Sequence, residues 1–415
     1  MKLSNKQLFA YGSLGMPIAF VGLPIYLHLP HYYATTHGIS LALIGTVLLL
    51  VRLFDAFQDP LIGFYSDKTK HSNLKIILWA APFLTIGFIA LFAPPKLSHD
   101  WTILWLVGFL LLTYTAFNFV MINYYAASTS LPQYSEKAAL ISGAREAGML
   151  LGIMFAATLP EILKKYFDEA TAFRYFSVSF VPIILIGIIG ICYCLKRNRI
   201  LQKHGDHSVT LGSMKNLKPL APLYLLFFMN SMPASITSTL FLFFVEDYLK
   251  TPDQAGYLLA CFFLSSAVSV PIWVYLSHKI GNWKSLRIGL VLSISSFICT
   301  IFLGAGDVFW FYLICAASGA AVGGDLTLLP TIFTKAIAEN DNMSASAFSI
   351  WHFLAKINLA LAAGLLFRGL AYFNYQPKVT EGATILLIFY AVIPCFIKLL
   401  ALVLACNKKV INAKL

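Results

Sequence analysis

Charge is scarce in this 415-residue sequence: Asp, Glu, Lys and Arg make up only 12% of it, with 18 acidic residues against 30 basic ones. Soluble domains carry about 25% charged residues, so the chain has too little charge for an ordinary water-exposed surface. A long polar segment is also lacking, which leaves no room for an extramembrane domain and argues against a sensor with a soluble output module. The seven cysteines include no CxxC pair, and Cys192 and Cys194 stand too close for a metal pair of the usual spacing. Cys261, Cys299, Cys315 and Cys395 lie within apolar runs and read as small buried residues. Neither H-E-x-x-H, G-x-S-x-G nor a phosphate-binding glycine loop occurs. We therefore expect no enzyme and no cofactor.

Apolar residues fill the space that charge leaves, at 59% of the chain. A spanning helix needs roughly 20 of them in a row, and such runs recur from end to end. They place helices at about 8–34, 39–65, 73–94, 101–131, 137–160, 171–195, 219–250, 253–279, 284–304, 307–338, 341–372 and 381–406. The first run follows Lys2 and Lys6 and is too long for a signal-peptide core, so it reads as a first membrane helix. Pro17, Pro24 and Pro30 predict kinks in it.

The formal net charge of +12 raises nucleic acid as a partner. The basic residues lie in short loops, however, with no basic domain to hold a duplex, and the positive-inside rule accounts for them. The longest polar stretch, 196–218, carries Lys196, Arg197, Arg199, Lys203, Lys215 and Lys218. It separates an N-terminal bundle, 1–195, from a C-terminal bundle, 219–415, each of about six helices. Lys68, Lys70, Lys75, Lys279, Lys284, Arg287, Lys408 and Lys409 fall on the same side as this linker. Both termini are thus expected in the cytoplasm and the chain in the inner membrane. The expected partners are a small-molecule substrate and the bilayer, with no nucleic acid, and the chain is expected to act as a monomer.

A charge at the bilayer centre costs at least ~2.5–3.5 kcal/mol, so charges inside these helices mark ion or substrate paths. The second helix reads Arg52-Leu53-Phe54-Asp55-Ala56-Phe57-Gln58-Asp59-Pro60, with Arg52, Asp55 and Asp59 on one face. Two carboxylates one turn apart cannot both ionise cheaply in a dry site. A metal cation or a shared proton relieves the repulsion. Pro60 frees the Ala56 carbonyl, and that oxygen, Gln58, Asp55 and Asp59 together suit a small hard cation. The alternative is a salt-bridge cluster with Arg52 that only joins helices.

The fifth helix carries Arg145 and Glu146 beside a small-residue stripe, Ala144, Gly148 and Gly152, that permits close helix packing. Arg145 sits either at a cavity or near the inner interface. On the fourth helix Asn123, Tyr124 and Tyr125, with Asn118, are candidates for a polar ligand. The eleventh helix holds Trp351, His352 and Lys356. We assign Trp351 and Lys356 to substrate contact. His352, Arg52, Glu146 and Asp325 are assigned to a charge network. Lys356 lies near mid-helix with no acid within a turn, which points to an acidic partner elsewhere, Asp55 or Asp59. Lys398 stands near a helix end and is expected to snorkel.

Two repeated bundles about a central inside loop are the plan of the major facilitator superfamily, and Gly63-x-x-x-Asp67-Lys68-x-Lys70 resembles its loop motif. Tyr11-Gly12, Gly45-Thr46, the run from Arg52 through Asp55, Gln58, Asp59 and Pro60 to Gly63, and Lys356 are similar to the glycoside–pentoside–hexuronide:cation symporters. That resemblance implies an all-α integral membrane fold of 12 transmembrane helices in two six-helix bundles. It implies symport of a sugar or sugar-like solute with H⁺ or Na⁺. It would put the cation at Asp55 and Asp59, with Gln58 where members often have Asn, Arg145 near substrate, and Lys356 facing the cation site. The galactoside-holding charges of the first helix are missing here: the region reads Gly15-Met16-Pro17-Ile18-Ala19-Phe20, and Asn123 replaces a fourth-helix acid. A galactoside is therefore not the expected substrate, and the shortage of acids favours H⁺. The alternative on the same fold is an exporter or carrier of an amphipathic, lipid-like solute.

Overall fold

The computed structural model describes residues 4–69, 72–129, 131, 134–197, 217–337, 343–372 and 383–413, and among them every regular element is helical. The expected first helix forms as three consecutive pieces, α1 (Asn5–Gly12), α2 (Gly15–Leu27) and α3 (Leu29–His37). Pro30 opens α3 just after the break at His28, while Pro24 lies inside α2, which continues past it to Leu27. Gly38 ends α3 in the left-handed region at φ 67°, where a side chain would be strained.

The first half continues with α4 (Leu41–Lys68), α5 (Asn73–Phe92), α6 (His99–Thr129), α7 (Tyr134–Leu163) and α8 (Glu169–Arg197). Ser40 and Ser72 cap α4 and α5 through their side-chain oxygens. The second half comprises α9 (Ala221–Phe243), α10 (Ala255–Ile280), α11 (Asn282–Ile298), α12 (Val308–Ile337), α13 (Ser344–Tyr372), α14 (Ala383–Leu387), α15 (Ile393–Cys406) and the short α16 (Lys408–Ile411). Two wider, π-helical turns, Phe244–Tyr248 and Ile388–Val392, extend α9 and join α14 to α15. They meet at Phe244 and Tyr390, whose rings stack at 4.1 Å.

Contacts group the chain into two units: Met1–Lys215 with Ile337–His352, and Asn216–Ala336 with Phe353–Leu415. Residues 198–216, most of the expected linker, lie outside the described residues. Among the described residues, ten helical stretches are long and apolar enough to cross a membrane. In the first unit a ring cluster of Phe20, Phe88, Phe173, Phe176 and Phe180 forms the core, while Phe9, Trp79 and Tyr166 are exposed. Large aromatics turned outward are costly in water and natural in lipid.

Candidate functional site

Helix α4 reverses the pattern of a soluble amphipathic helix. Leu50, Leu53, Phe54, Phe57 and Leu61 are exposed, whereas Asp55, Gln58, Asp59, Ile62, Ser66 and Asp67 are buried. Its apolar face suits lipid and its polar face suits a protein interior. The interior face then needs hydrogen-bond partners, because a buried carboxylate without them is costly.

Helix α6 supplies them. Asn118 Nδ2 donates to Asp55 Oδ1 at 2.7 Å and reaches the Asp55 carbonyl oxygen at 3.4 Å. Gln58 Nε2 donates to the same Asp55 oxygen at 3.4 Å, and Thr115 Oγ1 donates to Gln58 Oε1 at 2.9 Å. The Thr115 bond orients the Gln58 amide so that its nitrogen faces Asp55. Asp59, one turn further along α4, is fully buried. Pro60 lies within α4, which continues through it to Lys68. Arg52 is half-buried at the start of this face.

Arg145 is fully buried on α7. The small-residue stripe positions it. A Cβ on Gly148 would strike the Gly12 carbonyl, one on Gly152 the Met16 carbonyl, and one on Gly12 the Ala144 carbonyl. The stripe therefore brings α7 into backbone contact with α1 and α2. Arg145 Nε donates to Glu146 Oε1 at 3.1 Å, and the guanidinium lies 3.7 Å over the Tyr125 ring. Both terminal nitrogens of Arg145 are buried, with no hydrogen-bond partner among the described residues. Tyr125 also meets Phe348 at 5.4 Å and His352 at 4.8 Å.

The other fourth-helix candidates are engaged within the protein. Tyr124 donates through its hydroxyl to the Tyr11 carbonyl at 2.8 Å, and Tyr11 returns a 3.0 Å bond to the Tyr124 carbonyl. Asn123 Nδ2 donates to Ser66 Oγ and to the Phe119 carbonyl, both at 2.9 Å. Trp351 is buried in the first unit, and Lys356 is half-buried in the second.

In the second unit Lys398 corrects the snorkelling expectation. Its side chain is buried, and its ammonium donates to Asp325 Oδ2 at 2.6 Å and to the Asn230 carbonyl at 3.3 Å. The acid of the expected charge network thus pairs with a lysine on α15. Sequence alone concealed this because Asp325 and Lys398 are 73 residues apart.

Residues Gly63 and Asp67 of the loop motif also find a structural partner. Asp67 is fully buried and accepts the backbone N–H of Ala345 at 3.1 Å and of Ser346 at 2.6 Å, at the N-terminus of α13. A Cβ on Gly63 would run into Ser349 and the Ala345 carbonyl.

These features agree with what the chain resembles. A family profile described as MFS/sugar transport protein matches residues 8–410. The chain belongs to this family. A Bacillus subtilis protein named uncharacterized symporter YnaJ is 24% identical over 97% of this chain and 91% of its own length. The glucuronide carrier protein homolog of Escherichia coli is 22% identical over 91% of this chain and 86% of its own. Among solved structures, a bacterial homologue of the iron transporter ferroportin, in an outward-facing state, superposes with a TM-score of 0.75 at 15% identity, covering 98% of each chain. The family is one of multi-pass membrane transporters, not enzymes.

Two partners escaped the sequence reading. Thr115 was not singled out, and Asn118 was noted only beside the tyrosines. Their spacing of three on α6 was the available signal, but nothing local said which helix they face.

Proposed function

We propose that the protein is a cation-coupled symporter of a sugar or sugar-like solute, working by alternating access in the inner membrane as a monomer with both termini cytoplasmic. The supporting observation is the pair of buried carboxylates, Asp55 and Asp59, one turn apart on the interior face of α4. Asp55 already carries amide donors from Asn118 and Gln58. Two carboxylates one turn apart repel when both are charged, and one H⁺ or Na⁺ held there removes one of the two charges. Gln58 serves as a neutral member of that site, with its carbonyl oxygen held by Thr115.

Arg145 is the substrate contact we favour on the first unit, because its two terminal nitrogens are open donors beside the Tyr125 face. Such buried donors suit the hydroxyl oxygens of a polyol. Asn123, Tyr124, Trp351 and Lys356 complete the assignment to substrate, with Arg52, Glu146, Asp325 and His352 as charge network.

The test is the thermal stability of the purified protein against a panel of sugars, at acid and neutral pH, with and without Na⁺. A ligand at 100 times its dissociation constant stabilises by ~2.7 kcal/mol. We expect a sugar-dependent shift that requires the cation and is lost in Asp59→Asn. A sugar response indifferent to pH, Na⁺ and Asp59 would overturn the coupling reading.

A further inference from the structure

The second unit contains a buried charged centre built on Asp325, which the proposed function places in its charge network without giving it a proton or a partner. Lys398 on α15, Asp325 on α12 and Asn230 on α9 meet through the 2.6 Å ion pair and the 3.3 Å bond to the Asn230 carbonyl. All three side chains are buried. The second carboxylate oxygen of Asp325, Oδ1, has no hydrogen-bond partner among the described residues, nor does Asn230 Oδ1. Two open acceptors therefore lie on the two residues that the ammonium bonds, where a merely structural pair would be expected to satisfy both.

Those open oxygens do different work. Asp325 Oδ1 is a carboxylate oxygen with no hydrogen-bond partner among the described residues. Asn230 Oδ1 is a neutral acceptor on a residue that Lys398 already touches. We propose that Asp325, Lys398 and Asn230 form a second proton-binding site, separate from Asp55 and Asp59, in which Lys398 changes acceptor as the proton arrives. An O–H bond forms at Asp325 Oδ1, using a proton from water. The carboxylate becomes a neutral acid, and the ammonium, still charged, gives up Oδ2 for the Asn230 oxygens. The proton leaves by the reverse path. The ammonium at 2.6 Å excludes Na⁺ from this carboxylate, since a second cation there would be repelled at contact distance. Because Lys398 bridges α15 to α12 and α9, the exchange alters which helices of this unit are tied together.

Other titratable groups lie on the same helices and their neighbours. Cys395, one turn before Lys398 on α15, interacts electrostatically with Lys398 and with Cys299. Tyr224 on α9 packs on Phe333 of α12, six residues from Asn230, about 9 Å along the axis. Lys335 on α12 is ten residues beyond Asp325, about 15 Å. Cys315 and Tyr312 lie toward the opposite end of α12, with Cys261 of α10 bonded to the Tyr312 carbonyl. Arg287 of α11 binds the Ala405 carbonyl, with Lys284 a turn earlier, seven residues past Lys398 at about 10 Å. On α13, Lys356 is two residues from Asn358, which holds the Phe228 carbonyl and Ser231.

The site is tested without substrate, by pH-difference infrared spectra of the purified full-length protein in lipid, reading the C=O stretch of protonated carboxyl groups. Measuring in an Asp55→Asn, Asp59→Asn background keeps the outcome independent of the proposed coupling site. We expect a band that grows on acidification, is indifferent to Na⁺, and is missing in Asp325→Asn. In Lys398→Met the band should already be present at a pH where the parent shows none. Should Asp325→Asn fold poorly, Asp325→Asn, Lys398→Met, which buries no charge, replaces it and must also lack the band. Absence of any Asp325-dependent band over the whole pH range of the folded protein would overturn the proposal and leave a structural ion pair. Suppression of the band by Na⁺ would overturn it in favour of a metal-cation site.

Discussion

Asn118 donates a 2.7 Å hydrogen bond to Asp55, joining α6 to the interior face of α4. It is shorter than the Gln58 bond to the same oxygen, at 3.4 Å. Removing it leaves a buried acceptor poorly satisfied. Asn118→Ala should therefore destabilise the protein by about 1–3 kcal/mol. Thermal unfolding of purified protein checks the loss, and the Na⁺- or H⁺-dependent stabilisation should weaken in the same variant. A variant as stable as the parent would show that the bond contributes nothing net.

The backbone contact between α7 and the first helices predicts opposite results at two glycines. Gly148→Ala pushes its methyl into the Gly12 carbonyl and should cost about 1–3 kcal/mol, the usual range for overpacking. Gly45→Ala meets nothing within 4 Å and should gain up to about 1 kcal/mol from helix propensity. Comparing melting temperatures of the two variants decides whether the stripe is a packing requirement.

Asp67 caps α13 through two amides. Asp67→Ala should cost about 0.5–2 kcal/mol and leave the Ala345 and Ser346 amides without acceptors. Hydrogen exchange across 344–350 should accelerate, while exchange in α5 and α8 stays as in the parent.

Asp168 makes a pH-dependent prediction outside the membrane. Its side chain accepts the Thr171 backbone N–H at 3.1 Å, at the start of α8. That bond, with the Thr171 hydroxyl, holds the carboxyl below its ordinary value of 3.8. The capping contribution is thus fully present above that value and is lost as pH falls through the lower folded one. Thr171 amide exchange should be protected at neutral pH and lose protection in acid. In Asp168→Ala it should lack this pH dependence.

Much of this protein could be read from its sequence because the membrane makes local rules decisive. With no water to satisfy backbone groups, each apolar run must close its own hydrogen bonds as a helix. The runs therefore appear as helices within a few residues of the expected ends, and of the three prolines of the first run Pro30 stands beside a break while Pro17 and Pro24 lie within α2. The cost of intramembrane charge likewise singled out Asp55, Asp59, Arg145 and Asp325 in advance. Pairing between helices was not legible, because the side chain facing a buried charge is chosen by packing at long sequence separation. Tertiary structure alone decided that Asn118 and Thr115 serve Asp55 and Gln58, that Arg145 lies over Tyr125, and that Asp67 caps α13. It also decided that Lys398, placed by sequence at a water interface, is buried against Asp325. A helix end near the boundary permits either outcome, and only a carboxylate brought within 2.6 Å makes burial of the ammonium the lower-energy choice.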